Sequence, residues 1–247
     1  MIMKHIASCS FGKDSLATVL LALKHGEPLD EVVYCEVMFD KNISGEIPEH
    51  RDFIYDKAIP FLEKRGIKTT VLRHEKNTYL TYFFSKVTRG ERVGKLHGFP
   101  MCGHCSICRD CKLPPIREYQ KTLSTETVQY IGIAKDEQER LMRLKNNRVS
   151  LLDKYGVDEA GAKEICKRAG LLSPIYEFTD RNGCFFCMNA KQKELRHLYD
   201  FHPDLWAKML ALQSVPNKCS ELFNRDNTFA QIDYAFKMDD RQISFFD

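Results

Sequence analysis

The strongest constraint on the fold is an alternation of short apolar runs with helical patterns over the first 150 residues. "HIASCS" (5–10) reads as a strand. "DSLATVLLALKHG" (14–26) follows as a helix with Leu16, Val19, Leu20 and Leu23 on one face and Gly26 as its stop. "EVVYCEVMF" (31–39) is almost wholly apolar, the pattern of a strand buried on both faces of a parallel sheet. A helix over 51–65, bent near Pro60, leads to a third strand, "IKTTVLRH" (67–74), and to a helix in "TYLTYFFSKV" (78–87). "PPIREYQKTL" (114–123) restarts a helix with proline in its first turn, before a strand in "TVQYIGIAK" (127–135) and a helix in "DEQERLMRL" (136–144). This alternation predicts an α/β fold built on a doubly wound, mainly parallel sheet.

Beyond Ser150 the pattern becomes helical. "DEAGAKEICKRAG" (158–170) reads as a helix closed by Gly170, "LLSPIYEF" (171–178) as an extended piece, and the stretch 191–213 as helical but broken around Pro203. A nucleotide-binding-size α/β domain over 1–150, with an inserted cysteine-rich loop at 88–113, and a smaller helical, cysteine-containing subdomain over 151–247 are expected. The signals after about Val215 are weak, as in a tail that wraps the surface or stays mobile.

The 247 residues are 43% hydrophobic and 29% charged, ordinary for a soluble globular chain. No apolar run approaches membrane-spanning length, and "MIMKHIAS" lacks the apolar core of a secretory signal, so a cytoplasmic protein without a membrane partner is expected. A net charge of +3 does not by itself imply nucleic acid. Its distribution is more informative. Between residues 86 and 117, Lys86, Arg89, Arg92, Lys95, Arg109, Lys112 and Arg117 face only Glu91 and Asp110, an excess that suits either a phosphate-rich ligand or a solvated basic loop.

Ten cysteines are many for a reducing compartment, and they are unevenly placed. Cys102, Cys105, Cys108 and Cys111 recur at every third residue, and Cys184 and Cys187 form a second pair, a pattern that favours metal binding over disulfides. Two such units can join into one four-thiolate site for zinc or an iron–sulfur cluster. Cys184 and Cys187 are the firmest ligands. The remaining two come from the central group, and His97 and His104 are weaker substitutes. Cys9, Cys35 and Cys166 read as small buried hydrophobes, and His197 and His202 as packing or surface groups.

"SFGKDS" (10–15) falls where the first strand gives way to a helix, the place where an open α/β sheet binds ligands. Gly12 lets the backbone approach an anion, the first amides of the helix and its dipole favour phosphate, Ser10 and Ser15 add hydroxyls, and Lys13 adds charge. The competing reading is an ordinary capped turn. Neither the Walker A spacing nor G-x-G-x-x-G is present.

The turn resembles the S-x-G-x-D-S signature of the PP-loop adenine-nucleotide α-hydrolase superfamily. Further segments ("VMFD", "CKLPPI", "YIGIAKDEQERLMRL", "GLLSPIYEF" and "GCFFC") are similar in order and spacing to the phosphoadenosine phosphosulfate (PAPS) reductase-like family, over roughly residues 8–206. That resemblance implies a PP-loop, HUP-like fold that binds ATP or a related adenylate with Mg²⁺. Ser10, Phe11, Gly12, Lys13, Asp14 and Ser15 would cradle the phosphates. Phe39 and Asp40 would lie near adenine and ribose, and Gly132 and Ile133 near the base, with core packing the alternative for Phe39 and Ile133. Lys13, Asp14 and Arg140 are the implied catalytic groups, Arg140 serving phosphate or sulfate unless it is only an ion-pair partner. The family also places Cys105, Cys108 and Cys111 ahead of Cys102 as partners of Cys184 and Cys187, four of these holding the metal, and favours a [4Fe–4S] cluster over zinc.

Two chemistries follow from the resemblance. In one, a nucleophile attacks the α-phosphorus of ATP, pyrophosphate leaves, and the adenylate is displaced by sulfur, as in tRNA or DNA thiolation with a sulfur donor. In the other, a thiolate attacks a sulfonucleotide (PAPS or its unphosphorylated analogue APS) and sulfite is released, with a thioredoxin-like reductant. The "ECGLH"-like tail of the reductases is absent; Cys219, beside Lys218, is the one late cysteine. A nucleotide-sensing, nucleic-acid-binding module without turnover is the third expectation, motivated by the basic stretch.

Overall fold

The computed structural model of the chain describes residues 3–100, 105–123, 126–145 and 147–243, so Cys102 and His104 lie outside the described residues. Residues divide into two compact units interleaved along the chain: 1–36, 47–73 and 115–182 in the first, 37–46, 74–114 and 183–247 in the second. Residues 151–182 therefore belong with the sheet, and the second unit gathers segments from three parts of the sequence.

The first unit is the sheet unit. Its strands are β1 (His5–Ser8), β2 (Glu31–Cys35), β3 (Lys68–Leu72), β4 (Val128–Ile131) and β5 (Arg148–Val149). All pairings are parallel, in the order β3-β2-β1-β4-β5. This is the expected α/β, doubly wound sheet. The strand order reverses between β1 and β4, and in such sheets the crevice beyond the carboxyl ends at that point receives ligands. The interior strand β2 is buried at all five positions, which explains its largely apolar run.

Helix α1 (Lys13–His25) ends at Gly26, whose φ of 66° is the left-handed closing conformation foreseen from the sequence. Its Leu16, Ala17, Val19, Leu21 and Ala22 are buried with Val32, Tyr34 and Ile54 in one apolar core. It packs against α7 (Leu151–Lys154) and α8 (Glu159–Arg168) as well as the sheet, so burial extends around more of the helix than one stripe.

The expected 51–65 helix is three pieces: α2 (Pro48–Asp52), a π-helical turn (Phe53–Ala58) and α3 (Ile59–Glu63). Pro60 has no amide hydrogen and its ring crowds the carbonyl one turn back. The wider turn relieves this by bonding Ile59 N–H to the Ile54 carbonyl, five residues away. A second π turn, Cys108–Lys112, precedes Pro114 and Pro115 in α5 (Leu113–Lys121) for the same reason, with Leu113 N–H bonded to the Cys108 carbonyl. Helix α6 shrinks to Gln138–Leu141, because Met142 is exposed and the segment has no apolar face to bury. The extended piece expected at 171–178 contains a 3₁₀ turn, Pro174–Glu177.

The second unit contains α4 (Tyr79–Phe84), α9 (Gln192–Phe201), α10 (Pro203–Gln213) and α11 (Phe229–Ile243). Proline at the start of α10 produces the expected break. Helix α11 replaces the expected weak tail. Its signal is the capping box "TFAQ": Thr228 Oγ1 accepts from Gln231 N–H (3.1 Å) and Gln231 Oε1 accepts from Thr228 N–H (2.9 Å). The helix is held by Trp206, whose indole N–H donates to Asp233 (2.9 Å) and whose rings meet Phe229 and Phe236. No helix among the described residues is long and apolar enough to cross a membrane.

Candidate functional site

The loop after β1 is shaped by its backbone. Pairing with β2 continues one residue past the strand, Cys9 N–H to the Val33 carbonyl, before the chain turns away at Phe11. Phe11 has φ 58°, a conformation costly for a bulky side chain, and full burial of its ring against Tyr34 holds it there. Gly12 then occupies the N-cap of α1 without any side-chain cap, so the amides of that helix start are not covered by their own N-cap residue. A Cβ on Gly12 would stand 2.7 Å from Asn182 Oδ1 and 3.1 Å from the Tyr176 hydroxyl. A side chain here would displace both of these groups.

Side chains from distant parts of the first unit fix the loop. The Ser10 carbonyl accepts from His50 Nε2 (3.1 Å) and from Asn182 Nδ2 (3.4 Å). His50 is fully buried and holds Ser173 Oγ at its other nitrogen (2.9 Å). Ser15 Oγ ties the turn by accepting from Ser10 N–H (3.2 Å) and donating to the Gly12 carbonyl (3.1 Å). Tyr176 accepts from Lys13 N–H (2.7 Å). These partners were not legible from the sequence: His50, Ser173, Tyr176 and Asn182 carry no spacing signal, although "SPIY" lies in a segment singled out by resemblance.

The charged groups sit at the helix start. Lys13 Nζ lies 2.9 Å from Asp14 Oδ1 and 2.7 Å from Glu159 Oε2, with the lysine side chain 9% exposed. Burial opposes the ammonium, but the hydrogen bonds of Glu159 and Asp14 outweigh it and raise its pKa. Burial pushes Asp14 up despite Lys13, and the charges of Glu159 and Glu137 add to the rise. Beneath the loop, burial raises Cys9 to about 11 and Cys166 to about 12, so both thiols stay neutral and inert at pH 7.

The other expected nucleotide contacts are placed as follows. Gly132, just after β4, packs so closely on the start of α1 that a Cβ there would lie 2.6 Å from Ser15 N. Ile133 is buried, and its carbonyl accepts from Ser150 Oγ (2.6 Å). Arg140 is exposed and bonded to Glu137. Phe39 and Asp40 belong to the second unit. There Phe39 is buried against Tyr79, Phe185 and Phe186, while Asp40 accepts from the amides of Asn42 and Ile43 in a tight turn.

The second unit also brings the two cysteine segments into one neighbourhood. Electrostatic interactions link Cys105 with Cys108 and Cys187, and Cys184 with Cys187 and Cys105. Cys111 is buried. The knuckle is anchored by Phe185 N–H to the Gly45 carbonyl (2.9 Å), and Gly45 packs with no room for a Cβ against the Phe186 ring (2.9 Å). Cys108 N–H donates to Cys105 Sγ (3.4 Å). Burial, followed by the charge of Glu46, holds the Cys184 thiol well above its ordinary range. Tyr79 is fully buried beside this pair, within reach of the charges of Cys184 and Cys187, and its hydroxyl has no hydrogen-bond partner among the described residues. An acceptor placed at the thiols would satisfy that donor. No three of the described cysteines bring their sulfurs all within 4.8 Å. Tetrahedral zinc needs thiolates about 3.8 Å apart, given bonds of about 2.3 Å. A four-iron cluster, with each thiolate on a separate iron, holds its ligands farther apart.

Comparison with known proteins adds likeness to solved structures alone. No family model and no curated protein matches the chain. Among solved structures it is similar to the U34-tRNA thiolase NcsA from Methanococcus maripaludis with its [4Fe-4S] cluster. The TM-score is 0.46 at 17% identity, covering 88% of this chain and 75% of that one. Likeness at this level carries nothing about activity, which has to be argued from the site.

Proposed function

We propose that the chain is a PAPS-reductase-like PP-loop enzyme that binds ATP, releases pyrophosphate by adenylating an acceptor, and couples this to sulfur transfer onto a nucleic acid. One observation carries the reading: a polar turn at the reversal of a parallel sheet, with a helix start that has no side chain at its N-cap, a left-handed Phe11 and a Gly12 closely packed by Asn182 and Tyr176. An ordinary turn needs none of this strain.

In this reading Lys13 exchanges a carboxylate partner for a phosphate oxygen and neutralises the charge that grows on the leaving pyrophosphate as the α-phosphorus is attacked. Ser10 and Ser15 supply hydroxyl donors, and Arg140, paired with Glu137, is the second available cation. Asp14 is the carboxylate placed to hold Mg²⁺, which would draw charge from the phosphates. Cys105, Cys108, Cys184 and Cys187 are the best four ligands for a [4Fe–4S] cluster, the group that would supply iron sites for sulfur chemistry. Tyr79 would donate a hydrogen bond to one of those thiolates.

The test is pyrophosphate release from ATP and Mg²⁺ by anaerobically purified protein, with and without added tRNA or DNA. The reading expects release that depends on Lys13 and Asp14. Absence of pyrophosphate with every acceptor contradicts it.

A further inference from the structure

Residues 85–97 form a ribbon rather than an irregular loop. Lys86 bridges Leu96 in antiparallel fashion, and Val87 N–H donates to the Lys95 carbonyl (2.9 Å). A third segment joins it: Leu96 bridges Lys218 in parallel, and Cys219 N–H donates to the Leu96 carbonyl (2.8 Å). Lys218 is buried and donates to the carbonyls of Gln213 and Val215, a structural anchor for that segment rather than an activator of Cys219.

Between the ribbon and α4 lies a cavity of about 490 Å³, in the size range of small-molecule sites. Its walls carry three rings, Tyr82, His97 and Phe99, of which Tyr82 and His97 stand 5.0 Å apart between centroids. Phe99 is itself buried, in edge-to-face contact with Phe83 and Phe223, so the part-exposed rings of Tyr82 and His97 offer the stacking surface on a rigid support. The ribbon's turn adds Arg89, Arg92 and Glu91. Both arginines are exposed. The His97 ring is oriented by the Ser85 carbonyl, which can only accept and lies 3.1 Å from Nδ1, so Nδ1 carries a hydrogen.

We propose that this cavity takes one unstacked nucleotide of a single-stranded nucleic acid, the base against the aromatic wall and its phosphate at Arg89 and Arg92. Base-stacking rings combined with arginines on one rim are the chemistry that recognises single strands. The Glu91 carboxylate offers an acceptor for exocyclic amines, and a cavity of this size admits a single nucleotide while excluding a duplex. The proposal rests on the reading of a nucleic acid as acceptor and is independent of the adenylation step.

The experiment is fluorescence anisotropy of the full-length protein, without ATP, using a fluorescein-labelled single-stranded RNA of about ten nucleotides. Parallel arms use DNA of the same sequence, the RNA duplex, and free mononucleotide as competitor. We expect an RNA or DNA single strand to bind at least about tenfold tighter than duplex. Tyr82→Ala should weaken binding by about tenfold while Tyr82→Phe retains it. Arg89→Ala and Arg92→Ala should each lower the salt slope by about one. Failure of both single strands to bind, equal affinity for duplex, undiminished binding by Tyr82→Ala, or competition by mononucleotide at the affinity of the strand would overturn it. Pyrophosphate release, measured separately, shows whether the catalytic reading stands or falls on its own.

Discussion

The Ser10–Ser15 turn and the cysteine segments solve opposite problems of placement. The turn is six contiguous residues held in shape by strain at Phe11, close packing at Gly12 and hydrogen bonds to Ser10, all formed within one unit. The cysteines come from segments more than seventy residues apart, and their sulfurs are neighbours without being gathered. A cradle whose backbone is preorganised needs only Lys13 to exchange partners, whereas a set of dispersed thiols is completed by the group it holds. The two sites should therefore respond differently to mutation.

The largest effect is expected from Gly12→Val. Its side chain collides with Asn182 and Tyr176, so pyrophosphate release should fall by about a hundredfold or more while metal content is unchanged. Equal loss of metal in that variant would break the contrast. Cys184→Ser and Cys187→Ser should do the reverse: iron content and visible absorbance collapse, and ATP affinity measured by calorimetry stays within about twofold, a change below about 0.5 kcal/mol. Tyr79→Phe sharpens the point. It should keep the iron and lower the reduction potential, because it removes a donor to a thiolate; an unchanged potential argues against a cluster at those sulfurs.

Legibility follows the same division. The alternation of strands and helices, the position of the turn and the glycine stop of α1 are local properties of the sequence, and each appears in the structure. The partners of the turn are not local. His50 enters from α2 and Tyr176 and Asn182 from beyond α8, and each makes its contact only after the sheet is assembled. Helix α11 was hidden for a different reason: its buried side includes Asp233, whose burial is explained by Trp206 and by nothing in its own neighbours. The two-residue strand β5 is too short to show a period. The prolines at 60, 114 and 115 announced interruptions, but the π turns that absorb them are defined by carbonyl pairing that sequence does not display.

Acid sensitivity separates the units further. Glu31, buried at the start of β2, would be raised by burial, yet hydrogen bonds from Lys4 and Thr70 lower it from 4.5 to about 2. Its contribution is present above pH 4.5 and is lost as pH falls through about 2. Urea titrations between pH 5 and pH 2 should show about 3 kcal/mol more loss for the native chain than for Glu31→Gln. A smaller effect is expected in the other unit: Thr228→Ala removes the cap of α11 and should cost about 1 kcal/mol, read from the same titration at pH 7.

The most direct test is calorimetric titration of the purified chain with ATP and Mg²⁺, beside Lys13→Ala. The account predicts one nucleotide per chain and an affinity at least about tenfold weaker in the variant, the loss of one charge-assisted contact. Absence of binding, or equal affinity in both proteins, would contradict it.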